Sequence, residues 1–259
     1  MRPNAVPTTD PTRRELLRLL ALAPVAGALA PFAAPWSAAR AQEPARPGAL
    51  VRRDGVGAPL PLTAEDLPWA ARMLVGESGG RGGTDDEAVL WCMLNSYTLR
   101  PVRELYPTFR AFVRAYCTPL QPWLKSQGAI DRHRRRGTPM VEVEPGRWQL
   151  RRHVELQRRP WAELPAGARE LVARTFEGRG RSPCGNATQF CSTAVYFHDR
   201  HGRRPSDAEH RTFTVAFARE KGWTWVEVEG ANPRANCFFV ERRFAALPAG
   251  VVEVRPTAT

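Results

Sequence analysis

Glu77 closes a patterned run from Leu67 to Ser78, in which Leu67, Ala70, Ala71 and Leu74 recur at i, i+3, i+4 and i+7. That spacing is one apolar face of a helix, and Glu77, three residues beyond Leu74, continues it. An acid so placed is held against a core. Desolvation raises a carboxyl pKa, and the carbonyl end of a helix pushes the same way. A glutamate kept protonated near neutral pH is what acid catalysis at a glycosidic oxygen requires. The plainer alternative is a surface acid at a frayed helix end.

The elements around Glu77 explain how it would be held. Thr63-Ala64-Glu65-Asp66 and Thr84-Asp85-Asp86-Glu87 both have the form of a capping box, so each predicts a helix start. Gly79, Gly80, Gly82 and Gly83 supply the stop and turn between the two helices. In the second helix, Ala88, Trp91, Cys92 and Asn95 share one face. An asparagine on a core face needs hydrogen-bond partners, either backbone groups or a sugar.

The run Glu77-Ser78-Gly79-Gly80, then Glu87-Ala88-Val89, then Leu94-Asn95, resembles the SleB-type cell wall hydrolases, relatives of the lytic transglycosylases. That family carries E-A-R-G-E, then G-Q-x-A-V, then L-N-R. The pair Glu77-Ser78 is also similar to the glutamate-serine pair of soluble lytic transglycosylases. Downstream, Asn186-Ala187-Thr188-Gln189-Phe190 resembles G-A-T-H-Y, and Asn236-Cys237-Phe238-Phe239 resembles the closing G-x-H-x-F strand. Arg81 replaces the second glutamate of the family pattern, Asp86 its glutamine, and Gln189 and Cys237 its two histidines. The resemblance implies a lysozyme-like fold and cleavage of the glycan strand of peptidoglycan without metal or organic cofactor. It implies that Glu77 is the catalyst; Ser78, Asn95 and Gln189 are the expected substrate-binding residues. No second carboxylate stands out as a nucleophile, which favours the transglycosylase route over hydrolysis.

The N-terminus predicts export. Thr12-Arg13-Arg14-Glu15-Leu16-Leu17-Arg18 has the form of a twin-arginine signal, followed by an apolar run to about Trp36 and the cleavage pattern Ala39-Arg40-Ala41. Pro24, Pro31 and Pro35 argue against a retained anchor, so no membrane attachment is expected after removal of residues 1–41. The destination is the periplasm or the cell exterior. Residues 42–61 read as a flexible linker rich in Pro, Gly, Ala and Arg. Residues 62–245 then form one catalytic domain, and 246–259 a C-terminal tail.

The formal net charge of the 259-residue chain is +12, suited to anionic envelope polymers. Arginine carries nearly all of the positive charge, since Lys125 and Lys221 are the only lysines. The densest cluster, Arg132 to Arg136, sits in a stretch read as irregular, and no nucleic-acid-reading motif accompanies it. Peptidoglycan is therefore the expected partner, nucleic acid is not, and the oligomeric state is left open.

The rest of the chain predicts an α+β fold, a helical core followed by a small C-terminal hairpin or sheet. Thr108 caps a helix burying Phe109, Phe112, Val113, Tyr116 and Cys117. An irregular insertion follows from about 118 to 159. Ala168, Leu171, Val172 and Phe176 mark another helix stopped by Gly178, and Ser206 to Glu209 opens a short one. Residues 223–228 and 237–240 pair as a hairpin. The odd count of five cysteines allows at most two disulfides, with Cys184 joined to Cys191 or Cys237 as the favoured guess. Two alternatives to glycan cleavage stand: a peptidoglycan-binding relative without turnover, and a cysteine peptidase using Cys191 with His198 or His210. The spacing of His198 and His201 fits no structural zinc pattern, so no metal is expected.

Overall fold

The second helix organises the molecule. In the computed structural model, which describes residues 46–256, helix α1 spans Asp66–Glu77 and helix α2 spans Thr84–Leu99. Every residue of α2 from Ala88 to Leu99 is buried. The spacing predicts a single buried face for α2; in fact it is enclosed all round, as a helix apolar on every side must be. Residues 1–41, read as an export signal, residues 42–45 and residues 257–259 lie outside the described residues.

Helix α3 (Phe109–Tyr116) packs Phe109, Phe112 and Val113 onto this core, and Thr108 caps it by accepting from the Ala111 N–H at 3.2 Å. Tyr97, Phe109, Phe112 and Phe176 form a connected aromatic cluster with centroid separations of 5.4 to 6.3 Å. The expectation that Tyr116 is buried is corrected: it is 41% exposed.

Residues 118–159 are not irregular. They hold helix α4 (Gln127–Arg135), a hairpin of β3 (Met140–Glu144) and β4 (Arg147–Leu150), and helix α5 (Arg151–Arg158). A separate small core of Leu124, Ile130 and Leu150 supports them. The basic cluster thus lies on and just after a helix, not in a loop. Side-chain amides of Gln149 and Gln157 donate to the carbonyls of Gln121 and Pro119, fixing the turn that follows α3.

Helix α6 (Ala166–Phe176) ends before Gly178, as expected. Helix α7 (Thr193–His201) went unread in the sequence, and helix α8 (Asp207–Glu220) is 14 residues long with a complete Ser206/Glu209 capping box. Three antiparallel strands follow the order β5-β7-β6, with β5 at Gln189–Cys191, β6 at Trp223–Val226 and β7 at Cys237–Glu241. The predicted hairpin is present as β6 and β7, and β5 is added to its far side.

The linker and tail assignments are corrected. Strands β1 (Ala49–Arg52) and β2 (Leu60–Pro61) come from the stretch read as a linker, and β8 (Val252–Arg255) from the stretch read as a tail. They form one sheet, ordered β2-β1-β8, with Leu50 opposite Val254. Leu50, Val252 and Val254 join the main core. The fold class is α+β, as expected, but the domain extends beyond both of its expected ends.

Candidate active site

The end of α1 is fixed by a network that sequence reading assigned differently. The first capping box forms by half, with the Thr63 N–H donating to the Asp66 carboxylate at 2.8 Å, and the second does not form. Helix α2 begins at Thr84 with Gly83 as its cap and no side-chain cap bond. Asp86, 2% exposed, instead folds back over the glycine turn. Its carboxylate accepts from the Ser78 hydroxyl, from Gly80 N–H at 3.2 Å and from Gly82 N–H at 2.5 Å. Gly79, Gly80 and Gly82 all have positive φ, the left-handed conformation that glycine adopts without steric cost. At the start of α1, Asp66 accepts from Thr63 and also from the Arg110 N–H, which ties α1 to α3. Gly76 lets the 118–120 turn approach, since a Cβ there would stand 2.6 Å from Pro119 Cβ.

Glu77 then projects into a cleft of about 530 Å3. The cleft lies between the end of α1, one face of α2, the end of α3 and strand β5. Met93, Ser96 and Arg100 line it from α2, Tyr116 and Cys117 from the end of α3, and Gln189 and Cys191 from β5. Among the described residues, Glu77 is the only carboxyl in this lining. Among the described residues its carboxyl has no hydrogen-bond or ion-pair partner. Burial pushes its pKa from the usual 4.5 to about 7. Burial, and secondarily the Glu77 carboxyl, hold the Cys117 thiol well above its ordinary range.

The four residues expected at the site divide evenly. Glu77 and Gln189 meet in the cleft. Ser78 and Asn95 do not line it, and their substrate-binding roles are corrected. The Ser78 hydroxyl is engaged by Asp86 and by the Leu74 carbonyl. Asn95 is fully buried and donates from Nδ2 to the carbonyls of Gly185 at 2.8 Å and Ala187 at 3.1 Å. It pins the segment that leads into Gln189, so it positions the cleft wall without reaching a ligand.

One anchor was missed in the sequence. Glu241, at the end of β7, accepts at Oε1 from Gln189 at 3.1 Å and Thr188 at 3.2 Å, and pairs with Arg100 at 3.3 Å. Its Oε2 pairs with Arg243 at 2.7 Å. Burial raises the Glu241 carboxyl, but the Gln189 hydrogen bond and the two arginines outweigh it and leave its pKa below normal. Glu241 therefore stays charged, balances Arg100 and orients Gln189. The sequence signal is partial: strand alternation puts Glu241 on the face of Cys237 and Phe239, and Met93, Ser96 and Arg100 recur at i, i+3 and i+7, but neither pattern shows that the two faces meet.

The acids nearest to Glu77 in sequence are occupied elsewhere. Asp85 accepts from the Asn232 N–H and Glu87 pairs with Arg174 at 3.5 Å. Cysteine chemistry fares no better. The five cysteines are free thiols, and Cys191 stands opposite Cys237 in the β5–β7 register, not opposite Cys184. Burial and the neighbouring Cys237 push the Cys191 thiol to about 12, far from a reactive thiolate. His210 bonds Thr193 at 2.8 Å, and His198 lies outside the cleft lining, near Asp199.

Compared with protein-family models, with curated proteins and with solved structures, the chain finds no match.

Proposed function

We propose that this protein cleaves the glycan strand of peptidoglycan as an exported lytic transglycosylase, with a lysozyme-like site in which Glu77 is the single general acid and base. The observation that carries this reading is Glu77 itself: a carboxyl in a cleft wall, unpartnered among the described residues, with its pKa raised by burial to about 7. The same pattern, one carboxyl desolvated into its protonated form, defines the acid of glycosidases. Tyr116 and Tyr196, 41% and 50% exposed at the cleft, offer ring faces to sugars. Arg100 stands over the Tyr116 ring at 5.4 Å and holds it in place.

Protonated Glu77 gives its proton to the glycosidic oxygen as the bond from that oxygen to C1 breaks, and positive charge develops at C1. The resulting Glu77 carboxylate takes the proton of the sugar's own 6-hydroxyl as that oxygen bonds C1. The ring closes to a 1,6-anhydro end, Glu77 is protonated again, and no water is added. Hydrolysis by two carboxyls needs a partner about 5 to 9.5 Å away with a free oxygen facing the sugar. Among the described residues Glu77 is the one carboxyl of the cleft lining, and both oxygens of Glu241 are engaged.

Digestion of purified sacculi followed by mass spectrometry tests the reading. Muropeptides one water lighter than hydrolysed products, with no reducible end, are expected. Products dominated by borohydride-reducible ends would replace transglycosylation with hydrolysis. Intact glycan strands after prolonged incubation would remove the activity altogether.

A further inference from the structure

A second pocket, of about 480 Å3, adjoins the Glu77 cleft and shares Ser192 with it as a wall. Its charge is strongly one-sided. Arg132 and Arg136 reach it from the basic cluster of α4, Arg204 from the turn before α8, and Arg234 from the loop before β7. Arg234 is neutralised by Asp207, with hydrogen bonds of 3.0 and 2.6 Å. Arg132, Arg136 and Arg204 have no carboxylate partner among the described residues. Three guanidinium groups gathered around one hollow repel one another unless an anion sits between them, and each presents a fork matched to a carboxylate.

We propose that this pocket receives the acidic peptide carried by a glycan strand lying in the Glu77 cleft, with the carboxylates of that peptide paired by Arg132, Arg136 and Arg204. The inference rests on the glycan-cleaving reading for the identity of the strand and adds a preference to it: peptide-bearing strands are better substrates than bare ones. Two features favour a peptide over a phosphate polymer. Ala194, Val195 and Pro205 line the pocket between the arginines, and they suit small apolar side chains that a polyol phosphate lacks. Among the described residues Asp199 is the only acid in the lining, and it gives an amine-bearing residue one place to bind.

The test uses calorimetric titration of the purified protein with a synthetic tripeptide of alanine, γ-linked glutamate and a C-terminal diamino acid. The wild type is expected to bind it, more weakly as salt rises. The triple variant Arg132→Gln/Arg136→Gln/Arg204→Gln, changed only at exposed positions, should bind at least about tenfold more weakly, as expected for the loss of charge-assisted pairs. In parallel, the ratio of cleavage rates on peptide-bearing and amidase-stripped strands should favour the former, and the triple variant should lose that preference. Equal tripeptide affinity in wild type and variant, no binding by the wild type, or tighter binding of a polyol phosphate or oligonucleotide would overturn the proposal. Glu77→Gln should bind the tripeptide as the wild type does. Arginine-dependent binding in a protein that cleaves no glycan would overturn the glycan-cleaving reading and leave the pocket standing.

Discussion

Glu77→Gln is expected to lower sacculus digestion by more than about 100-fold, the order of effect that general acid catalysis supplies, and to make the folded protein more stable above neutral pH. Glutamine keeps the shape and removes the transferable proton. The stability effect follows from linkage. The folded-state pKa of about 7 lies above the ordinary 4.5, so between those values the native state holds more protons than the unfolded chain. Wild-type stability therefore falls as pH rises through that window, and the loss is complete above pH 7. Its size at pH 8 is about 3 kcal/mol, and Glu77→Gln does not suffer it. Urea unfolding at pH 4 and pH 8 checks both ends: similar stabilities at the first, a more stable variant at the second. A folded variant that digests sacculi at a near-normal rate would remove Glu77 from the mechanism.

Asp86→Ala should destabilise the protein by about 3 kcal/mol or more, because a buried acceptor is lost and its donors are stranded. The Ser78 hydroxyl and the N–H groups of Gly80 and Gly82 all turn to this one carboxylate. Asp86→Asn rescues little, because the amide places a donor where one of these N–H groups already points. With the turn released, the end of α1 frays and Glu77 loses its fixed place, so activity should fall with stability. Asp85→Ala is the matched control. Its one bond, to the Asn232 N–H, is exposed, and its loss should cost less than about 1 kcal/mol. Thermal denaturation of the three variants reads the contrast. Equal melting temperatures for Asp86→Ala and the wild type would mean that the turn holds without its carboxylate.

Local pattern was legible where it was strong. The apolar face of α1, the Thr108 and Ser206 caps and the β6–β7 hairpin are written in short-range spacing, and the structure follows them. Positions decided by distant partners were not legible. Asp86 reads as part of a capping box, yet the nearest unsatisfied donors are the N–H groups of the glycine turn, and it folds back to them. Asn95 reads as needing either backbone partners or a sugar, and only burial against a segment 90 residues away decides for the backbone carbonyls. Strands β1 and β8 lie more than 190 residues apart in the chain, and neither shows its pairing alone. Glu241 became part of the site only once β7 set it beside Gln189 and Arg100. The residues carrying local chemistry could be named in advance, and their supports could not.

The central claim is that Glu77 is half-protonated near neutrality inside the cleft, and direct titration of its carboxyl tests it. Side-chain carboxyl carbon shifts of 13C-glutamate-labelled protein, followed from pH 3 to 9, should contain one signal with a midpoint of about 7 that is missing from Glu77→Gln. If the signal lost in Glu77→Gln instead titrates at the ordinary 4.5, Glu77 is a solvated anion at neutral pH and cannot be the general acid.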